Sequence, residues 1–415
     1  MSSCQQDKPS IDHILSLRLE GKCSIEAIST ILKRFGIDNS SVGYISQLLN
    51  NIGSFLPNTQ TFSEGNQVQV IFASDEIFAK NSPILITVDP LSTAILKIEI
   101  LDKRTAEAWI KHWESIEDNG CSPIYLVCDG GIALAKAHDE YLPDFIKQPD
   151  TYHAIAHILG VIDKKLEKAA YDAIKKEYDS NIILTEKDLV DEKKLSRLTK
   201  KYEENRKKAQ EKIDAYESFH YLYVSMIKEL DVFDENGKLR DRQTADGNIE
   251  TCLDLLDTEL GLEKQVKKIR RVMDDLLNYF EIAKVIMEEL LDNLPENSDE
   301  ILASLCLAWQ WGKKKNKAKN SNMKRYCAEK EESYYKKAET GCSNNYDEIK
   351  DQVLKNLDEI VQSSSIVECI NSIIRPYINS TKSQINQEFL NLLMFYHNYR
   401  RYNAGKREKK HHMRY

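Results

Sequence analysis

Three carboxylates stand in segments where a metal-dependent phosphoryl-transfer site needs them: Asp75, Asp129 and Glu368. Residues 67–75 (QVQVIFASD) place Val68, Val70 and Phe72 at every second position and finish on Asp75, followed by Glu76. Residues 123–131 (PIYLVCDGG) form a second short apolar run, ended by Asp129. Residues 363–375 (SSSIVECINSIIR) read as a helix with Glu368 near its start. One acid at a strand tip is usually a turn or cap, and a helical Glu usually faces water. Three acids drawn from two strand tips and a helix are what a pair of divalent ions requires. Such ions, about 4 Å apart, activate an attacking oxygen and stabilise the leaving one. Hard Mg²⁺ or Mn²⁺ takes carboxylate oxygens and keeps several waters, so few protein ligands suffice. Glu368, Asn371 and Arg375 fall at i, i+3 and i+7 and so share a helical face, which directs Asn371 and Arg375 to a DNA phosphate beside the ions.

The elements that must position these acids follow from periodicity. Residues 83–88 and 93–101 read as strands joined by the turn-like DPLS at 89–92, residues 105–116 as a helix with Trp109 and Trp113 facing the core, and residues 132–141 as a helix. Asp89 competes for the role of first acid, but Asp before Pro in a hairpin is ordinary turn chemistry. Residues 151–158 (TYHAIAHI) are expected to be the last strand. The order β-β-β-α-β-α-β, with acids ending the first and fourth strands, is a ribonuclease-H-like arrangement around a mixed five-stranded sheet. Ahead of it, residues 11–19, 24–35 and 40–51 read as three short helices, with Ser24 and Ser40 as N-caps and Gly36 and Gly53 as stops. The last two, joined by a Gly-Ile-Asp-Asn turn, fit a helix-turn-helix whose recognition helix presents Ser40, Ser41, Tyr44 and Gln47. Residues 58–66 read as a linker.

Beyond residue 163 the strand signal disappears. Long helical periods run over 196–230, 262–291 and 300–338, broken near 231–240 and 291–299. Helices over 346–374, carrying Glu368, and over 387–400 follow, then a basic tail. The domains are therefore 1–60 (helix-turn-helix), 61–162 (first part of the core), 163–350 (all-helical insertion), 351–399 (the part of the core bearing the Glu) and 400–415 (tail).

The net charge argues at first against a nucleic-acid partner, and its distribution softens that objection. The chain has 415 residues, 41% hydrophobic and 30% charged, with a formal net charge of −8. Residues 61–160 carry 15 acids and 7 bases, and residues 375–415 carry 9 bases, including Arg400 and Arg401, and 2 acids. An acidic centre with basic flanks suits a site that binds metal ions and DNA together. No apolar run is long enough for a membrane span and no leader is apparent, so a soluble cytoplasmic protein is expected. The nine cysteines show no CxxC pair, which argues against a disulfide framework or a zinc site. Cys128 and Cys369, beside two of the acids, read as small buried hydrophobes.

The pieces ASDEIF (73–78), YLVCDGG (125–131), DTYHAIAHI (150–158), SSSIVECINSIIRPYI (363–378) and FLNLLMFYHNYRRY (389–402) resemble a DDE transposase of a bacterial-type insertion sequence. The resemblance implies that Asp75, Asp129 and Glu368 are the catalytic, metal-binding triad and that a basic residue seven places after the Glu, here Arg375, touches DNA. It implies two Mg²⁺ or Mn²⁺ ions, cleavage at element ends, and attack of the freed 3′-hydroxyl on target DNA. Terminal inverted repeats and target duplex would be the partners, with a homodimer on DNA at the nucleoid and no membrane. Trp309 and Trp311, beside a basic run, are candidates for stacking on a flipped base, against the plainer reading of interhelix packing. His153 and His157 share a face and resemble histidines found there in the family. Two other readings stay open: a catalytically retired, transposase-derived DNA-binding protein, and a nuclease of the same fold without strand transfer.

Overall fold

The structure is a computed structural model that describes residues 11–62, 67–185, 192–295, 298–342, 345–380 and 385–402. The basic tail beyond Tyr402 lies outside the described residues. Two compact units divide the chain: residues 1–150 with 361–415, and residues 151–360. The second unit is wider at both ends than the 163–350 insertion the sequence suggests.

The first unit begins with α1 (Ile11–Leu15), extended by a π-helical turn Ser16–Glu20, then α2 (Ile25–Arg34) and α3 (Val42–Ser54). Ser24 caps α2 through a hydrogen bond from Ala27 N, and Gly36 closes it at φ +66°. Two expectations are corrected here. Ser41, not Ser40, caps α3, accepting from Tyr44 N at 3.2 Å. Gly53 does not stop the helix: it lies inside α3, where a Cβ would come within 1.9 Å of the Glu388 carbonyl oxygen, so its missing side chain permits close helix packing. The expected linker is also partly structured. Asn58 and Gln60 exchange backbone hydrogen bonds with Ile98 and Leu96, and Thr59 pairs with Lys97, which covers an otherwise bare sheet edge.

The sheet consists of β1 (Val68–Ala79), β2 (Ser82–Val88) and β3 (Ile95–Ile100), then α4 (Ala106–Asp118), β4 (Cys121–Cys128), α5 (Ile132–Tyr141) and β5 (Lys147–Pro149). Its strand order is β3-β2-β1-β4-β5, antiparallel across the first three and parallel from β1 to β4 and β5. Element order thus follows the sequence expectation, but the last strand does not. β5 is the short 147–149 segment, and 151–158 is helical instead, with a π-helical stretch Tyr152–His157. Ile155 and Leu159, four apart, are both fully buried, a helical spacing. One face of the sheet packs Phe72, Leu85, Leu96 and Leu126 on Trp109, Trp113 and Ile116 of α4 and Leu134 of α5. At the sheet edge, the Asn398 side-chain amide hydrogen-bonds both the N–H and the carbonyl of Ile95, and the Gln387 amide bonds Ile100 N and Ile98 O.

A buried polar chain crosses the α4 face. His112 joins Glu99 through Nδ1 (2.6 Å) and Thr87 through Nε2 (3.1 Å); Thr87 bonds Ser74 (2.9 Å), which also accepts from Trp113 Nε1. Thr87, His112 and Ser74 are fully buried, so despite its resemblance to a nucleophile–base–acid triad this chain is structural. Burial lowers the His112 pKa and keeps the ring neutral, although Glu99 opposes this. Burial alone would raise the Glu99 carboxyl, but His112 and Lys97 hold it below its ordinary value. Both shifts act in one direction: stability falls as pH drops below about 6.5, where the unfolded histidine takes a proton the folded one resists. His112→Ala should cost about 2–4 kcal/mol in urea unfolding, since it leaves buried partners unsatisfied and a cavity. A loss under about 0.5 kcal/mol, typical of an exposed surface site, would deny the chain a structural role.

The second unit is all-helical: α6 (Ile158–Thr185), α7 (Glu192–Glu229), α8 (Arg242–Thr258), α9 (Glu263–Arg270), α10 (Met273–Leu276), α11 (Tyr279–Asn293), α12 (Asp299–Lys317), α13 (Ser321–Gly341) and α14 (Tyr346–Leu357). Sequence periods missed its breaks. The 300–338 stretch is a hairpin of α12 and α13, turned at Ala318–Asn320 with Asn320 as N-cap, and 262–291 is three helices. In the 231–240 loop, Gly237 (φ +78°) sits where a Cβ would meet the Ala303 carbonyl oxygen at 2.4 Å. Gln310 secures the same loop by hydrogen bonds to both backbone groups of Phe233.

The chain returns to the first unit with α15 (Ser365–Ser380) and α16 (Gln387–Tyr399). The expected single helix over 346–374 is therefore two, α14 and α15, one in each unit, separated by residues 358–364. α15 packs on β1 and β2, and α16 on β3 and α3.

Candidate active site

The site is built on one register. Ser74 of β1 pairs with Cys128 of β4, and Cys128 with Pro149 of β5, so the next residues along these parallel strands are Asp75, Asp129 and Asp150. Three adjacent strands thus present an aspartate at the same end of the sheet. Asp75 is not at its strand's tip, as the sequence suggests, because β1 continues to Ala79 alongside β2. It stands one residue past the last β1–β4 pair, Ser74 with Cys128, which opens that side of β1. Asp129 leads into Gly130 (φ +80°) and accepts from Gly131 N at 2.9 Å, a tight turn that opens into α5. Asp89 is fixed in the β2–β3 turn by Leu91 N, Ser92 N and the Ser92 hydroxyl and takes no part here.

Asp75 and Asp129 repel each other. Burial, reinforced by the Asp129 charge, pushes the Asp75 carboxyl up to about 7, although Glu76 N and Asn371 stabilise its ionised form. Burial also raises Glu76, which is partly relieved by its ion pair with Arg104, while Asp129 again opposes ionisation. A half-buried carboxylate facing a second acid, with no lysine or arginine among the described residues bonded to it, is a site whose charge calls for a cation. The donors are hard oxygens, which suit Mg²⁺ or Mn²⁺.

α15 is tied to this corner at two places. The side chain of Asp150, 2% exposed, accepts from both Ser364 N and Ser364 Oγ at 2.8 Å and fixes the helix N-terminus. Upstream, Val361 N donates to the Tyr125 hydroxyl at 3.0 Å. One turn into the helix, Asn371 Nδ2 donates to Asp75 Oδ2 at 2.8 Å. Asn371 is therefore not a DNA contact as the sequence suggests: it is 3% exposed and orients Asp75. Glu368 lies three residues before it, about 4.5 Å along the helix axis, in the first turn and exposed. Among the described residues, no three His, Cys, Asp or Glu side chains are gathered tightly enough to hold an ion. The structure thus brings Asp75 and Asp129 into electrostatic contact and leaves Glu368 one helical turn from the residue that touches Asp75.

Asp150 escaped the sequence reading. Its signal was a third short run closed by an acid, KQPD at 147–150, hidden by assigning the strand to the following residues. Asp150→Ala should destabilise the fold by about 2–3 kcal/mol, a lost charge-assisted bond at a buried site. Amide exchange over 364–368 should quicken at least about tenfold, read by hydrogen exchange; unchanged protection would show that other contacts hold the helix.

The remaining residues separate by burial. Arg375 is exposed two turns after Glu368. Tyr44 and Gln47 are exposed on α3, with Ser41 at its cap and Ser40 half-buried before it. Arg401 is exposed, while Arg400 stacks on Tyr402 (4.3 Å) and Tyr396 (5.0 Å). Cys128 is buried as expected, but Cys369 is exposed. In the second unit, Trp309 is 5% exposed and donates to Asp358 at 3.0 Å, so it is an interhelix residue and not free to stack on a base. Trp311 is half-buried against Tyr326, with Lys314 over its ring at 4.9 Å. His153 and His157 lie with ring centroids 5.7 Å apart on the π-helical turn, beside Tyr152.

The sheet is mixed, and at the end of its parallel strands the half-buried Asp75 faces the exposed Asp129. Residues 77–230 match the family model described as "Transposase, Mutator family", which supports reading the chain as a transposase and implies DNA as its partner. No curated protein matches the chain. No helix among the described residues is long and apolar enough to cross a membrane.

Proposed function

We propose that the chain is a DDE-type DNA transposase with a ribonuclease-H-like core, which cleaves element ends and joins them to target DNA. The observation that carries this reading is the half-buried Asp75, its carboxyl raised by burial and by the charge of the exposed Asp129 at the same end of the parallel strands, with the Glu368 helix docked on it through Asn371. Asp75, Asp129 and Glu368 would hold two Mg²⁺ or Mn²⁺ ions, whose chemistry is to activate the attacking oxygen and stabilise the leaving one. Asn371 fixes the plane of the Asp75 carboxylate, and Asp150 fixes the helix that carries Glu368. Arg375, exposed beyond them, takes a DNA phosphate and sets the strand against the acids. The exposed Tyr44 and Gln47 face of α3, with Ser41 at its cap, reads the terminal repeats, and Arg401 adds a backbone contact. Two copies act on paired ends.

The test is a labelled duplex bearing the DNA that borders the gene, incubated with plasmid and Mg²⁺. A transposase nicks the end and joins the label to plasmid. Nicking without joining identifies a nuclease. Binding with neither identifies a retired, DNA-binding descendant, a reading favoured by the lack of a gathered three-ligand cluster among the described residues.

A further inference from the structure

The first half of α7 is heavily charged, with only a narrow apolar stripe of Leu195, Leu198, Tyr202 and Ala209. Residues 192–212 carry nine bases (Lys193, Lys194, Arg197, Lys200, Lys201, Arg206, Lys207, Lys208, Lys212) and four acids, a net of +5 in a chain whose net is −8. Of the residues in this half, only Ala209 is buried; the contribution of α7 to the helical core starts at Phe219. Here it meets α6, with Asn205 Nδ2 donating to the Lys176 carbonyl at 3.4 Å. The outward face of so charged a helix is ordinarily laced with i,i+4 ion pairs.

Some cations elsewhere in the unit find carboxylates, as in Arg270–Glu250 and the i,i+4 pair Lys336–Glu332, and others, such as Lys264 and Lys267 of α9, do not. What sets α7 apart is the length of its row. Lys194, Arg197, Lys200, Lys201, Lys207 and Lys208 are all exposed and, among the described residues, make no ion pair or hydrogen bond. Glu204 and Glu211 stand four residues after Lys200 and Lys207, yet they do not pair with them. At 100° per residue the six cations fall within one arc of about 140°, opposite the side on which Ala209 meets α6. Between Lys194 and Lys208 the stripe runs roughly 21 Å, about six base-pair steps.

We propose that this stripe is a DNA-backbone surface, which lays α7 along duplex phosphates and contributes affinity without base readout. The inference rests on the DNA-directed reading above and names where in the helical unit the duplex is held. An unpaired cation row on a half-helix whose one buried residue is Ala209 fits a polyanion of regular spacing better than a protein partner, which would want apolar anchors.

The test uses the full chain, a 30-base-pair duplex of mixed sequence, and fluorescence anisotropy from about 50 to 300 mM KCl. The combined variant Lys200→Gln, Lys201→Gln, Lys207→Gln, Lys208→Gln should bind at least about tenfold more weakly at 100 mM salt. Its slope of log affinity against log salt should be shallower by about 3, since each phosphate contact contributes about 0.9. The control Lys111→Gln, Lys136→Gln, at exposed residues of the first unit already paired with Glu107 and Glu140, should keep the wild-type slope. An unchanged slope in the fourfold variant, or a per-lysine loss equal to the control's, overturns the proposal. So does loss of self-association on light scattering with DNA affinity intact, which assigns the stripe to a second copy. Wild-type chain that binds no duplex removes the DNA reading itself, whereas wild-type binding with an unchanged variant slope removes only this surface.

Discussion

Asp75→Asn is expected to lower DNA cleavage by at least about 10³-fold and, at pH 8, to make the metal-free protein more stable. The first effect follows from removing a carboxylate that, on the proposed function, would hold the ions. The second follows from the cost of keeping that carboxylate buried. Its pKa is pushed up to about 7, above the ordinary value of 3.8, chiefly by burial and then by Asp129. A raised carboxyl binds its proton more tightly folded than unfolded. Its contribution is therefore fully present below about pH 4 and is lost as pH rises through 7. At pH 8 the wild type should lack about 2–4 kcal/mol that the amide variant retains, and at pH 4 the two should nearly coincide. Urea melts at both pH values check this. Equal stability at pH 8 would mean Asp75 is solvated and its ionisation unopposed. Mg²⁺ should correspondingly stabilise wild type more at pH 8 than at pH 6, and stabilise Asp75→Asn little at either.

The second large effect is expected at Asn371. Asn371→Asp keeps the shape but replaces the N–H that holds Asp75 Oδ2 with a further carboxylate beside Asp75 and Asp129. The fold should survive, and cleavage should fall about 10²–10³-fold, or about 3–4 kcal/mol of barrier. Asn371→Ala, which removes the bond without adding charge, should lose less, about 10–10²-fold. The ordering separates positioning from a DNA contact. A DNA contact would appear as weakened binding in both variants, measured with catalysis blocked by Ca²⁺.

Much of the site was legible because local chemistry dictates it. The period-two apolar run before Asp75 and the Asp-Gly-Gly after β4 both survive, since alternate burial and a positive φ at Gly130 leave marks in residue type. What stayed hidden depends on partners far along the chain. Asn371 looked like a member of an exposed face because i, i+3, i+7 spacing cannot say which member meets β1. The strand at 147–149 is too short for periodicity, and His153 and His157 in TYHAIAHI lent the next residues a false alternation. The turns at 318–320 and 358–364 contain neither Gly nor Pro. They end helices through Asn320 and through Ser364 bound to Asp150, and the second depends on tertiary contact. Trp309 beside lysines leaves stacking and packing both open in sequence, and the plainer reading is the one found, with Asp358 and Phe233 against it.

Iron(II) in place of magnesium, with ascorbate, cuts the backbone next to wherever the ion sits, and so reports the ligands directly. On the chain bound to duplex DNA, the account predicts cuts at three places: around Asp75 in β1, around Asp129 after β4, and within the first turn of α15 at Glu368, all suppressed by excess Mg²⁺. Cuts near the two aspartates with none between residues 364 and 371 would contradict it.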